Sequence, residues 1–144
     1  MKNLTLLIAL IFTFGVLVNA QTQNPIAIHV PFDFYIQNQK LTAGDYVVQS
    51  ASLQSAQPIL VFRQKDGKAR KIVMTIPTEI NNGQTLDNPT MLFNRYGNGY
   101  YLAEISNPWE KRVFEIPRTK AEKSLARNFG KPKQESIAMS FVQK

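Results

Sequence analysis

IAIHVPFDFYIQNQKLTAGDYVVQ, residues 26–49, is the most regularly patterned stretch of the chain. Ile26, Ile28, Val30, Phe32, Phe34 and Ile36 fall on one side of a period of two, and His29, Asp33, Tyr35 and Gln37 fall on the other. Six apolar residues in phase at that period predict a strand with one buried face. Pro31 has no amide hydrogen to give to a ladder, so this strand must lie at an edge or bend there. Asn38-Gln39-Lys40 reads as a turn and Ala43-Gly44-Asp45 as a second break, where Gly44 is free to take a positive φ. Tyr46 to Gln49 then resumes as a strand.

The same style continues outward. Ile59 to Arg63 and Lys71 to Ile76 flank Lys65-Asp66-Gly67-Lys68, a hairpin signal because Asp-Gly tolerates the primed turns. Met91 to Tyr96 and Tyr100 to Ile105 flank Gly97-Asn98-Gly99, a second hairpin. Arg112 to Ile116 is a further strand that ends at Pro117. The expected fold is mainly β: an antiparallel sandwich or barrel of about seven or eight strands. The architecture changes once. Thr119-Lys120-Ala121-Glu122 has the form of a capping box, in which the threonine hydroxyl accepts from the Glu122 amide and the Glu122 side chain reaches back. Gly130 and Pro132 are stop signals. A helix over 120–129 follows, too short to stand alone, and it is expected to dock through Leu125 and Phe129. Ser136 to Val142 alternates again and reads as a final strand.

The N-terminus reads as a secretory leader over residues 1–20. Lys2 precedes an apolar run from Leu4 to Val18, and Val18-Asn19-Ala20 offers small or short residues where cleavage would fall. The run is shorter than the roughly 20 residues of a membrane span, so no span is expected after cleavage. Residues 21–144 are of a size for one domain, expected in the periplasm or outside the cell. The chain has no cysteine, which removes disulfides, thiol catalysis and thiolate metal sites. It has one histidine, His29, which removes a multi-histidine zinc site. No glycine-rich phosphate loop is present, and no serine sits in a nucleophile elbow. No cofactor is expected.

Charge divides unevenly. Residues 21–110 balance seven basic against seven acidic side chains, whereas residues 111–144 carry nine against three. A one-ended excess suggests a face that meets something anionic. Its candidate residues are Arg118, Lys120, Lys123, Arg127, Lys131 and Lys133. Outside the cytoplasm the partner would be an acidic envelope polymer or lipid headgroups rather than nucleic acid. A second candidate is the aromatic and basic group Arg95, Tyr96, Tyr100, Tyr101 and Trp109, with Lys111 and Arg112 beside it; flat rings stack on sugars or bases. Asp33, Asp45, Glu79 and Glu104 are the acids from which a carboxylate pair would have to be drawn.

Val30-Pro31-Phe32-Asp33-Phe34 and Leu41-Thr42-Ala43-Gly44-Asp45-Tyr46-Val47-Val48, with Arg95-Tyr96-Gly97 and the segment Pro117 to Arg127, give the chain a resemblance. It resembles an uncharacterised family of small exported bacterial β-rich proteins, with a V-P-F-x-F pattern followed by L-P-A-G-x-Y. Thr42 stands where that family tends to have proline. The resemblance implies export and a β-rich domain, and it supplies no activity. The sequence therefore points to an exported, non-enzymatic interaction domain of the envelope or the extracellular space. A carrier of a small apolar ligand, with a cavity lined by Phe32, Phe34 and Ile36, is the alternative. A carboxylate hydrolase ranks third.

Overall fold

The alternation expected across Pro31 is present, but the chain changes sheet within it. The computed structural model describes residues 25–51, 58–79, 88–107 and 112–141; the expected leader and Trp109 lie outside them. Strand β1 (Ile26–Val30) belongs to a five-stranded sheet, and β2 (Phe34–Ile36) belongs to a seven-stranded one. Pro31 to Asp33 form the corner between them. A corner of this kind lets one strand serve two packed sheets. Both halves keep the same inward phase: Ile26, Ile28, Val30, Phe34 and Ile36 are all buried. Phe32, at the corner, is only half-buried.

The remaining strands are β3 (Gln39–Leu41), β4 (Gly44–Ala51), β5 (Ile59–Gln64), β6 (Arg70–Met74), β7 (Ile76–Glu79), β8 (Thr90–Tyr96), β9 (Gly99–Asn107), β10 (Arg112–Glu115), β11 (Lys133–Ala138) and β12 (Ser140–Phe141). The first sheet runs β12-β1-β4-β5-β6; the second runs β11-β8-β9-β10-β7, with the β2–β3 hairpin joined to β9. Both sheets are open and the fold is a sandwich, so the barrel alternative falls away. There are more strands than expected because three of the runs are cut by corners. Besides the run 26–36, the run 71–76 splits at Thr75 into β6 and β7, and the terminal run splits at Met139 into β11 and β12. Two of these corners are held alike. Thr75 donates its amide and its hydroxyl to the Pro58 carbonyl, each at 3.0 Å, and Met139 donates its amide to the Pro89 carbonyl at 2.8 Å. Pro77, expected to end a strand, lies within β7, which is an edge strand with no outer neighbour among the described residues.

Two further details differ from the sequence reading. The turn expected at 38–40 is tighter: Gln37 and Asn38 make it, with Gln37 at φ 58, which frees Gln39 to Leu41 to form β3. The sheets are also not wholly antiparallel, because β2 pairs with β9 in parallel, Phe34 with Tyr100 and Tyr35 with Tyr101. That pairing is what carries the corner strand into the second sheet.

The core lies between the inner faces. Tyr46, Val48, Phe62 and Val73 come from one sheet, and Phe34, Met91, Phe93, Leu102 and Phe114 from the other. Phe34 meets Tyr46 and Phe93 edge to face, at 5.4 and 5.5 Å between centroids, the arrangement that ring quadrupoles favour. Gly44 takes φ 149, and a Cβ there would lie 3.2 Å from Gln64 Nε2. Around it, Tyr46 donates its hydroxyl to the Thr42 carbonyl at 2.6 Å and Gln64 Nε2 reaches Thr42 Oγ1 at 3.3 Å. These bonds hold the turn at Thr42.

Candidate functional site

Helix α1 (Lys120–Phe129) forms where the capping signal placed it: Thr119 Oγ1 accepts from the Glu122 amide at 3.2 Å, and Gly130 ends the helix at φ 76. Only half of the expected box is made. The Glu122 side chain does not return to the cap but turns into the protein, where it is the one buried residue of the helix. Leu125 is half-buried and Phe129 is 61% exposed. The helix therefore docks by a polar side chain, where the sequence reading had Leu125 and Phe129 do the work. The apolar spacing was read correctly as a face; the sheet beneath it presents a polar residue there.

That residue is Asn94. It alternates with core residue Phe93 on β8 and so points to the outer face of the second sheet, where it is fully buried. Asn94 Nδ2 lies 3.5 Å from Glu122 Oε1, and the Arg118 Nε approaches the same oxygen at 3.8 Å. Asn94 Oδ1 and the Tyr96 hydroxyl, both buried, find no hydrogen-bond partner among the described residues. Burial holds the Glu122 carboxyl above the usual carboxylate range, against the lowering effects of Asn94 and Arg118. Burial likewise raises the Tyr96 and Tyr101 hydroxyls.

Register lays out the rest of this outer face. Asn94 stands opposite Tyr101, Tyr101 beside Tyr35, and Tyr35 opposite Lys40, in one row across β8, β9, β2 and β3. Tyr35 and Tyr101 stack at 4.9 Å with their rings 12° from parallel. Round the end of the hairpin, Tyr100 stacks on Phe32 at 3.8 Å, and the Arg95 guanidinium lies 5.2 Å from the Tyr100 centroid while donating to the Gly97 carbonyl at 2.9 Å. Tyr100 and Tyr101 are neighbours on β9, so the two stacks lie on opposite faces of the sheet at its Gly97-Asn98 end. A cleft of about 530 Å³ runs there, between Tyr35 and Lys40 on one side and Leu125 and Phe129 on the other. The expected aromatic group is thus brought together at Arg95, Tyr96, Tyr100 and Tyr101. Sequence reading missed Phe32, Tyr35 and Phe129, which complete it. The signal for Tyr35 was its place on the polar side of the strand alternation.

The basic candidates divide. Lys120, Lys123 and Arg127 are exposed and spaced three and seven apart, so they form one ridge on the helix face turned from the sheet. Lys131 and Lys133 are exposed just beyond it. Arg118, itself exposed, reaches Glu122 at 3.8 Å and lines a second cleft, of about 430 Å³, with Lys123, Glu104 and Glu115. Glu104 and Glu115 are opposed in register on β9 and β10. Burial, and then the Glu115 charge, raise the Glu104 carboxyl.

The four acids first considered do not gather. Asp33 is exposed and structural: its oxygens accept from the Ala43 amide at 3.0 Å and from Lys40 at 2.9 Å, and the Ala43 bond, then Lys40, lower its carboxyl. Asp45 accepts a 2.7 Å contact from the exposed ring of His29, its cross-strand neighbour. Glu79 is on edge strand β7. Among the described residues no helix is long and apolar enough to cross a membrane. No family model matches the chain, nor does any curated protein or solved structure.

Proposed function

We propose that the protein is an exported, non-enzymatic β-domain that works by contact, its basic C-terminal segment held against an anionic polymer or lipid headgroups of the cell envelope. One observation carries this reading. Lys120, Lys123 and Arg127 share the outward ridge of α1, and none of them forms an ion pair among the described residues. Three unpaired cations on a helix whose other face is anchored by Glu122 make a fixed charge pattern rather than a floppy tail. Such a pattern attracts polyanions at long range. The leader read in residues 1–20 and the resemblance to exported proteins support the location. Asp33 and Asp45 each have a structural partner, which supports the non-enzymatic part of the reading.

The test uses protein recovered from cells expressing the full sequence, with its N-terminus determined. Binding to isolated envelope fractions is measured at low and high salt, beside a variant with Lys120, Lys123 and Arg127 all changed to Glu. Attraction between exposed charges fades as the screening length falls from about 10 Å at 0.1 M to about 3 Å at 1 M. Binding lost both in high salt and in the variant is the expected result. Binding that survives both removes the reading.

A second reading, a carrier of a small apolar ligand, draws on the half-exposed aromatic cleft. The interior offers it less, since Phe34 and Ile36 are fully buried within the core cluster.

A further inference from the structure

The aromatic cleft shows more order than an ordinary surface depression. Its floor and walls are rings and an aliphatic side chain that stay partly open: Tyr35, Tyr100, Tyr101, Leu125 and Phe129. The Tyr35–Tyr101 stack makes one flat ledge along β2 and β9. Phe129 contributes little to helix docking at 61% exposure. It lies over Gly97, where a Cβ would make ordinary contact with its ring at 3.5 Å, and it lines the cleft.

Opposite Phe129, the lip is polar and fixed. Asp33 and Lys40 are paired at 2.9 Å, and the Ala43 amide holds the carboxylate from behind. Flat apolar faces beside a rigid carboxylate–ammonium pair suit one ligand chemistry. A pyranose ring has an apolar C–H face that stacks on an aromatic ring, and hydroxyls at its edge that bond a carboxylate and an ammonium at once. The volume of about 530 Å³ lies within the roughly 300–1,000 Å³ of small-ligand sites and leaves room for more than one ring.

Charge narrows the class. Lys133 on β11 stands directly opposite Arg95 on β8. Like charges opposed across a ladder repel, and neither forms an ion pair among the described residues. Arg95 is held at the cleft by Tyr100 and the Gly97 carbonyl. Arg95 thus sits beside the Tyr100 side of the cleft, with Lys133 across the ladder from it.

We infer that this cleft binds the sugar rings of an acidic glycan, a pyranose chain carrying carboxylates, with Tyr35, Tyr101 and Phe129 stacking on the rings and Lys40 and Arg95 meeting the charge. The inference rests on the contact reading above only for its preference for acid; ring stacking stands apart from it.

The experiment is a calorimetric titration of the full-length product with four probes: trigalacturonate, neutral galactotriose, polyglutamate and a single-stranded dT oligonucleotide. The variants are Phe129→Ala, Tyr35→Leu and the helix charge reversal. Trigalacturonate is expected to bind most tightly and galactotriose more weakly. Phe129→Ala and Tyr35→Leu are each expected to weaken both sugars about tenfold, the loss carried by one stacked ring. Charge reversal is expected to leave galactotriose unchanged. Phe129→Ala changes an exposed side chain, so it keeps the test valid where Tyr35→Leu disturbs folding. Polyglutamate or dT binding as tightly as trigalacturonate, or sugar binding indifferent to Phe129→Ala, overturns the inference. Sugar binding without any binding to envelope fractions would instead keep the cleft and remove the electrostatic reading.

Discussion

Glu122 Oε1 faces Asn94 Nδ2 at 3.5 Å beneath α1, and the pair joins the helix to the sheet through groups that are both buried. The folded pKa of Glu122 lies above its ordinary value, so the neutral acid is the form the fold favours. Its contribution is fully present below the unfolded value of about 4.5 and is lost as pH rises through the raised folded value. Glu122→Gln keeps an amide partner for Asn94 and cannot ionise. Urea denaturation at pH 4 and pH 7 should show the difference in stability moving in favour of this variant as pH rises. Glu122→Ala strips Asn94 of its partner and should cost about 1–3 kcal/mol at pH 4 and less at pH 7.

Glu104 and Glu115 oppose each other on β9 and β10. Like charges in that position destabilise a ladder by up to about 1 kcal/mol. The Glu104 carboxyl is raised by burial and by Glu115, so its ionisation also weakens the fold as pH rises past its ordinary value. Glu104→Gln should raise the melting temperature at pH 7 and leave it unchanged near pH 3, where both carboxyls are neutral in either state. An equal rise at both pH values would assign the gain to packing instead.

Gly44 combines φ 149 with a neighbour 3.2 Å from any Cβ. Gly44→Ala should cost about 1–3 kcal/mol, the range for a residue forced into sparsely allowed backbone space. The double change Gly44→Ala with Gln64→Ala should recover only the part due to contact, which chemical denaturation can separate from the backbone part.

Phe34 and Phe129 are the same residue type in opposite settings, at 0% and 61% exposure. Phe34→Ala should cost about 3–5 kcal/mol, as deletions of core rings do. Phe129→Ala should change stability by no more than about 0.5 kcal/mol. Thermal denaturation of the two variants checks both, and a stable Phe129→Ala protein is the control that the glycan titration needs.

Period-two alternation was enough to read a mainly β fold, a sandwich or a barrel, from residues 26–36 and the two glycine turns, because one buried face constrains every second side chain whatever the partner. The corners were not legible. Alternation continues unbroken through Phe32, since both sheets face the same core and a strand that changes sheet keeps its inward phase. Only Pro31 hinted at the bend. The helix was legible from Thr119, Glu122 and Gly130, which act within a few residues of one another. Its docking was not, because the role of Glu122 depends on Asn94, 28 residues away. The aromatic cleft was half legible for the same reason. Tyr96, Tyr100 and Tyr101 share a hairpin, whereas Tyr35 and Phe129 arrive by a parallel pairing and by helix packing that no local pattern encodes.

The three corners have a consequence for how the protein comes apart. At these corners, Pro31–Asp33, Thr75 and Met139, and again at Thr42–Ala43 between β3 and β4, the backbone itself passes from one sheet to the other, so neither layer is a separable segment of chain. A layer that loosened would drag on its companion at four places, two of them clamped to a proline carbonyl. Thread lacing of this sort couples the melting of the layers into one event, and amide exchange in β5 and in β9 would slow and quicken together. A chain without cysteine obtains by its path what other domains of this size obtain from cross-links.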